Sequence, residues 1–384
     1  MIRIVPVTDR RSREWFIDVP FRLYRNDPLW VPPLRSDMRK LISPKHNPFF
    51  AEADIQNFVA LDADMTPVGR ISAIIHHEYN RRFGEDRAFF GFYETSPDPA
   101  VSAALFQTVE SWSQARGKRT LIGPYSYTST QDAALLLENL DSQPPCLLQT
   151  YNPEYYRQHL ESAGFNLAFT FSTYGVDSVK TPRTDKLQNQ AAMLRQRHNI
   201  QVRNASKAEL KQNLDELRRL FNDCFADNLE VAPISRESFR FQLDSVRPFI
   251  DLAGIRVIEV DNQPAAFFLI LPDLNELLTR LGGKLGLLDL IRLPRYRKQI
   301  RKCVIALIGA RPMLHGQGVG RIIADEIIRY AYGRYEEVHT MWIDDRNPSS
   351  YVLAANGGMQ RTKRYGVFQK SLGAGSAAAK EAQA

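Results

Sequence analysis

The pentapeptide Asn-Pro-x-x-Tyr occurs twice, at Asn152-Pro153 with Tyr156 and at Asn347-Pro348 with Tyr351. Each copy leads into a glycine followed by a large apolar residue, Gly164-Phe165 and Gly358-Met359. The apolar periodicity around both copies predicts one shared order of elements: a strand, helices, a hairpin, then strand, helix, strand, helix and a closing strand. An internal duplication of this kind confines the chain to two copies of one α/β unit. In the amino copy the elements are a strand at Ile2–Val7, a helix around Ser12 to Tyr24, strands at Phe58–Leu61, Val68–Ile75 and Phe89–Glu94, and a helix from Ala100 to Ala115 with Val101, Ala104, Leu105, Val109 and Trp112 on one face. Thr120–Ile122, a helix from Asn152 to Gly164 and a strand near Phe169–Val176 complete it. The carboxyl copy has Ile200–Val202, helices over Lys207–Cys224 and Ser235–Val246, the hairpin Ile255–Val260 with Ala265–Leu271, Val304–Ile308, a helix over Ile322–Tyr332, Val338–Ile343, a helix from Pro348 and Tyr365–Lys370.

At 384 residues and 44% hydrophobic composition, each copy can bury its own core. Residues 1–177 form the first domain, the polar stretch 178–197 reads as a linker, 198–372 form the second domain with an insertion at 272–302, and 373–384, built only of Gly, Ala, Ser, Lys, Glu and Gln, read as a disordered tail. Cys146, Cys224 and Cys303 are scattered, with no metal-like spacing, and are expected as reduced thiols. His76-His77-Glu78 lacks the i, i+4 spacing of helical zinc ligands, so no metal is expected. The first residues alternate like a strand and no apolar run reaches about 18 residues, which gives the expectation of a cytoplasmic protein, or one peripheral at the inner face of a membrane.

The segment richest in chemical implication is Ala310-Arg-Pro312-Met-Leu-His315-Gly316-Gln317-Gly318-Val319-Gly320-Arg321. A strand delivers the chain to a loop whose glycines let successive N–H groups point into one concavity at a helix N-terminus. The helix dipole adds about half a positive charge there, so a phosphate or pyrophosphate is the expected ligand. A Walker loop needs Lys and then Ser/Thr after the last glycine, where Arg321-Ile322 stand. The dinucleotide fingerprint needs glycine at 321, and too little chain follows for a doubly wound sheet.

The element order and this loop resemble the GNAT acyl-CoA-dependent N-acyltransferases. Their loop runs Arg/Gln-x-x-Gly-x-Gly/Ala after an upstream proline, a frame filled here by Pro312, His315, Gly318 and Gly320, with His for Arg or Gln. Asn347 and the following Gly-Gly-Met turn resemble the second motif. The resemblance implies an α/β protein of two tandem GNAT-like domains, each a mixed, mostly antiparallel sheet flanked by helices. It also implies acetyl-CoA or a longer acyl-CoA held by Ala310, Pro312, His315 to Arg321 and Asn347. The amino copy has Thr95-Ser96-Pro97-Asp98-Pro99 in place of the loop, where two prolines remove donors and Asp98 sets a carboxylate at the helix N-terminus. That copy is expected to wall the acceptor pocket or to fix the other half's orientation.

N-acylation requires a proton route, an oxyanion donor and protonation of the leaving thiolate. Asp344 and Asp345 at a strand end and Glu259 on a hairpin are candidate bases, residues that equally suit a solvated strand end or turn. Tyr351 is the candidate acid, one turn before the family's usual tyrosine position, which Ala354 occupies. Asn347 suits either pantetheine or the cap of the helix that Pro348 begins.

The insertion carries Leu274, Leu277, Leu278, Leu281, Leu285 and Leu288 at helical spacing, then Leu290-Ile291-Leu293. Between Arg280 and Lys302 stand eight basic residues against Asp289 alone, matching the +7 of the whole chain. Such a stripe is either a helical pair packed on the other domain or an interfacial segment at 274–302 contacting anionic headgroups. The cluster lacks the aromatic interleaving of single-strand binders, so no nucleic acid is expected. The chain further resembles a bacterial tandem-GNAT subgroup through Pro20-Phe21-x-Leu23-Tyr24, Asp27-Pro28-Leu29-Trp30-Val31-Pro32-Pro33-Leu34, Gly91-Phe92 and Tyr151-Asn152-Pro153. Bacterial ceramide synthases stand among or near it. This resemblance implies transfer to a primary amine, small or lipophilic, such as a sphingoid base; the competing expectation is a non-catalytic CoA-sensing or membrane-surface module.

Overall fold

The computed structural model describes residues 2–128, 131–178, 185–228, 230–247 and 250–373. The amino half runs β1 (Arg3–Pro6), α1 (Arg10–Leu23), α2 (Arg35–Leu41), β2 (Ala53–Leu61), β3 (Pro67–His76), α3 (His77–Phe83), β4 (Arg87–Thr95), α4 (Pro99–Gln114), β5 (Thr120–Gly123), β6 (Leu135–Asn139), α5 (Tyr155–Ser162) and β7 (Asn166–Asp177). The carboxyl half follows with α6 (Asp185–Arg197), β8 (Ile200–Asn204), α7 (Lys207–Gln212), α8 (Leu214–Cys224), α9 (Arg236–Val246), β9 (Ile255–Val260) and β10 (Gln263–Pro272). It continues through α10 (Asn275–Leu281), α11 (Leu287–Arg297), β11 (Lys302–Ala310), α12 (Val319–Ala331), β12 (Glu337–Thr340), β13 (Ile343–Asp344), α13 (Pro348–Asn356) and β14 (Gln360–Ser371).

Three expectations change in detail, one being the single strand expected over Val338–Ile343, which is split into β12 and β13. Residues 178–197, read as a linker, contain α6, whose Ala191 is fully buried in the carboxyl core and whose Arg195 binds Asp325 at 3.1 Å and Glu326 at 2.8 Å on α12. Polar composition hid this helix because it buries a narrow face. The single helix expected over Lys207–Cys224 is two, broken at Asn213. The tail expectation falls on 374–384, outside the described residues, as do Lys180 and Pro182.

The strands join in one mixed sheet, in the order β1-β2-β3-β4-β5-β14-β7-β12-β11-β10-β9-β8. Match β1 with β8, β2 with β9, β3 with β10, β4 with β11, β5 with β12 and β7 with β14, and the order reads the same from either edge. The duplication is therefore built as a pseudo-two-fold sheet. At its centre the two closing strands trade places: β14 pairs with β5, β7 pairs with β12, and the two pair with each other antiparallel, with Phe171 opposite Tyr365. Lys363 on β14 is buried and bound to Asp141 at 2.7 Å. Removing one member of such a buried pair costs on the order of 3–5 kcal/mol.

In the amino half both sheet faces are covered. On β2, Val59 and Leu61 pack under α1 with Phe16, Ile17 and Val19, while Phe58 and Ala60 pack on the other face against Val101, Leu105, Phe106 and Val109 of α4. This is why these strands read as continuous apolar runs. In the carboxyl half, Ala266, Phe268 and Ile270 of β10 meet Ile322, Ile323 and Ile327 of α12 in the same way. On the opposite face Phe267, Leu269 and Leu271 line a cavity that residues of α8 and α9 also wall.

Because each half's sheet is completed by the other's last strand, we expect residues 1–178 expressed alone to lose cooperative thermal unfolding. A chain cleaved between 178 and 185 should stay a folded, co-purifying pair. Circular dichroism melting and size-exclusion chromatography of the two preparations check both outcomes.

Candidate functional site

The parallel pairing of β11 with β12 runs only from Lys302–Glu337 to Ile305–Thr340, yet β11 continues to Ala310. The strands therefore part beyond Ile305, with Met341 N–H closing the fork on the Ile305 carbonyl at 3.1 Å. The backbone edge of β11 beyond the fork loses its β12 partner.

β11 then runs into the glycine loop. A short 3-10 turn, Pro312–Leu314, precedes Gly316 (φ +77°) and Gly318 (φ +81°), the latter capping α12. Both are left-handed conformations in which glycine is at no disadvantage. Arg321 N–H bonds the Gly318 carbonyl at 2.9 Å and Gln317 N–H the Leu314 carbonyl at 3.2 Å. Among the described residues no protein acceptor takes the N–H groups of Gly316, Gly318, Val319 or Gly320. Four donors at a helix N-terminus, with open space where a Gly316 Cβ would stand, make an anion cradle.

The cradle opens on the cavity, which measures about 1480 Å³. That exceeds the ~300–1,000 Å³ of ordinary small-molecule sites. Its walls are largely apolar: Leu217, Phe221, Phe225, Phe239 and Leu243 from α8, α9 and the chain between them, Phe267, Leu269 and Leu271 from β10, Leu290 and Leu293 from α11, and Met38 and Leu41 from α2 of the amino half. β11, nine residues long, spans about 30 Å at ~3.3 Å per residue. The glycine loop leaves one end of that strand and the insertion enters the other, and both line the same cavity.

Ala310, His315, Gly316, Gly318, Val319, Gly320, Asp344 and Asn347 all line it. His315 sits exposed, its Nε2 3.3 Å from the Ala310 carbonyl. Pro312, Gln317 and Arg321 are exposed on the loop, and Gln317 bonds the Met313 carbonyl at 2.8 Å. Asn347 accepts Ser350 N–H at 3.3 Å and so caps α13. Asp344 is gripped by Arg346 at 2.6 and 2.9 Å, and Asp345 accepts from the Thr170 hydroxyl. Pro312, Gln317, Arg321 and Asp345 do not line the cavity, and the candidate base Glu259 and candidate acid Tyr351 also lie off it. Glu259 is held by Arg203 at 2.7 Å on β9, and Tyr351 is 48% exposed beside the Tyr174 ring. Ala354 lines the cavity instead.

Sequence reasoning missed Glu230. This buried carboxylate on the cavity wall meets Arg346 at 3.2 Å, Tyr79 hydroxyl at 3.3 Å and Tyr125 hydroxyl at 3.4 Å. Burial pushes its carboxyl above the usual range, and Arg346 partly offsets that. The group is assembled from α3 and three loops far apart in the chain and carries no local spacing that a sequence reading detects. The His76-His77-Glu78 run binds nothing in common: His77 pairs with Asp54 and Glu78 with Arg81.

The amino half closes the equivalent fork. Here β4 and β5 pair from Arg87–Thr120 to Phe89–Ile122, and the chain beyond Gly123 then folds over β4. A Cβ on Gly91 would lie 1.8 Å from the Tyr125 carbonyl, so only glycine permits that approach. Asp98 accepts Ala100 N–H at 2.9 Å and occupies the helix start as its sequence suggests. Tyr156, the amino copy's counterpart of Tyr351, is buried and donates to Glu94 at 2.8 Å, beside Tyr24 and Arg70. The subgroup residues Phe21, Tyr24, Trp30 and Tyr151 form one aromatic cluster, tied by Tyr151 hydroxyl to Asp27 at 2.6 Å.

No family model matches the chain. Among curated proteins it is 28% identical over 384 residues to a bacterial ceramide synthase of Caulobacter vibrioides, covering 97% of this chain and 98% of that one. It is also 28% identical over 367 residues to protein YghO of Escherichia coli, covering 93% and 92%. Among solved structures, a tandem GNAT protein from the clavulanic acid biosynthesis pathway superposes with a TM-score of 0.57 at 12% identity, over 97% of this chain and 99% of that one. A GCN5-related N-acetyltransferase from Sphaerobacter thermophilus gives 0.52 at 11%, over 96% of each. The chain thus has the tandem GNAT fold, and along nearly its whole length it is similar to a bacterial ceramide synthase.

Proposed function

We propose that the protein is an acyl-CoA-dependent N-acyltransferase acting on a lipophilic primary amine, with its site in the carboxyl half. The observation that carries this reading is the continuity of a phosphate cradle, a forked strand pair and a large apolar cavity. A CoA thioester is an anion joined to an acyl chain through an amide-bearing arm, and those three features meet its three parts in order. The full-length similarity to a ceramide synthase supports a long acyl chain and an amine with an aliphatic tail.

In this reading the amides of Gly316, Gly318, Val319 and Gly320 bind the pyrophosphate, and the freed edge of β11 bonds the pantetheine amides. The ammonium of the acceptor loses a proton to Glu230, whose raised affinity for protons suits that task. The free amine attacks the thioester carbon, the C–S bond breaks, and the second proton from nitrogen passes to the departing sulfur. Arg346 holds Glu230 and Asp344 in place and compensates their charge. A second reading, CoA binding without turnover, is favoured by Ala354 at the position of the family's tyrosine and by Tyr351 lying off the cavity. The release of free thiol from palmitoyl-CoA and acetyl-CoA over a panel of amines, sphinganine included, separates the two; CoA binding with no turnover on any amine establishes the second.

If the cavity takes the acyl chain, each added methylene contributes about 0.8 kcal/mol, so the Kd of acyl-CoA should fall about fourfold per CH₂ until the cavity fills. Calorimetric titration along a chain-length series measures this, and a flat series would contradict it. Gly316→Asp and Gly316→Asn share the same left-handed backbone demand and differ in charge. The Asp variant should bind CoA at least about tenfold more weakly than the Asn variant, with equal melting temperatures, because it sets a carboxylate in the cradle. Glu230→Gln should lower kcat by about 10²–10⁴ with CoA affinity unchanged. Protonated Glu230 cannot accept the proton, so the wild-type rate should fall at acid pH, with a midpoint above the ordinary carboxylate range. That acid limb should vanish in Glu230→Gln; a variant that loses stability but not kcat would make Glu230 structural.

A further inference from the structure

We propose that the α10–α11 insertion is a docking surface for an anionic membrane, seated at the mouth through which the cavity receives lipid. α10 packs inward through Leu277 and Leu281, and the Gly282–Gly286 turn is fastened to the amino half, where the Gly283 carbonyl accepts Arg35 N–H at 3.1 Å. α11, by contrast, buries none of its residues. Leu287, Leu288 and Ile291 are 83%, 65% and 77% exposed, an apolar tip left uncovered by the described residues. Arg295 and Lys298 continue the same helix face into its last turn and beyond, and Arg292 flanks it. Lys284, Arg292, Arg295 and Lys298 have no carboxylate within ion-pair range among the described residues, unlike Arg301 and Lys302, which pair with Glu336 and Glu337.

Two observations select the partner. The segment Arg280–Lys302 carries a charge equal to that of the whole chain, so its complement is a negatively charged surface. An apolar tip beside a cationic turn fits a bilayer, where leucines enter the acyl boundary and Lys and Arg stay among headgroups. A second copy of this chain would bring like charges together. The other side of α11 joins this surface to the site: Leu290 and Leu293 line the cavity, so a chain leaving the bilayer under α11 meets apolar wall without crossing water.

Flotation of the full chain with vesicles tests this independently of any turnover. It should float with an equimolar mixture of phosphatidylcholine and phosphatidylglycerol at low salt, and stay in the soluble fraction with phosphatidylcholine alone or with the mixed vesicles in high salt. Arg292→Glu with Arg295→Glu and Lys298→Glu should reduce binding at least about tenfold, and Leu287→Ser with Leu288→Ser and Ile291→Ser should reduce it comparably. Both variants alter exposed side chains only, so their melting temperature and CoA affinity should match wild type. Absence of flotation with the anionic vesicles, binding indifferent to both variants, or a concentration-dependent dimer that the leucine variant dissolves would each overturn the proposal. Vesicle binding without acyl transfer would leave it standing and remove the proposed reaction instead.

Discussion

The antiparallel contact between β7 and β14 is the constraint on which the rest of the molecule depends. Each strand closes the other half's sheet, so neither half has a complete core until both strands are in place. A flexible tether between two finished domains would leave their relative position to a small polar interface. Here the position is set by a continuous ladder of backbone hydrogen bonds and by buried groups such as Lys363 and Tyr365. The loop at 145–149 adds further ties, with Leu147 N–H on Asp273 at 2.8 Å and Gln149 on the Thr340 carbonyl at 3.0 Å. A cavity with walls from both halves can therefore keep one shape.

Within that frame the two copies have diverged at one place. Both contain a parallel strand pair that forks, but the amino fork is filled by its own backbone at Tyr125 and its helix start is occupied by Asp98. The carboxyl fork stays open, and at its helix start is a row of amides that no acceptor among the described residues takes. The outer face diverges in the same sense, since α1 packs down on the amino half's sheet, while in the carboxyl half residues of α8, α9 and the sheet together line a cavity. The copied architecture thus yields a solid half that supplies wall and a hollow half that supplies the site.

The glycine cradle was legible in the sequence because it rests on local left-handed backbone conformations that glycine adopts most readily, at Gly316 and Gly318. The duplication was legible through Asn152 and Asn347 and the element order around them. Partner choice between strands was not, because it is decided by pairing across the whole fold, and nothing in the local sequences of β7 and β14 says which sheet each will close. Glu230 was also hidden: it meets Arg346 and Tyr79 only through tertiary folding, and nothing near it in the chain marks its role. Tyr351 and Glu259 illustrate the opposite failure, since residue type and proximity to a motif did not determine which way the side chain faced.

The strand exchange has a consequence for how such a chain is made. β14 is the final strand of the fold, and the amino half needs it beside β5. During synthesis that half must wait, with the β5 edge unpaired, until β14, more than two hundred residues downstream of β5, has left the ribosome. Amino-first, domain-by-domain folding on the ribosome, the usual route for long chains, is closed to it. Its nascent form therefore spends longer than its size alone implies as a substrate for chaperones.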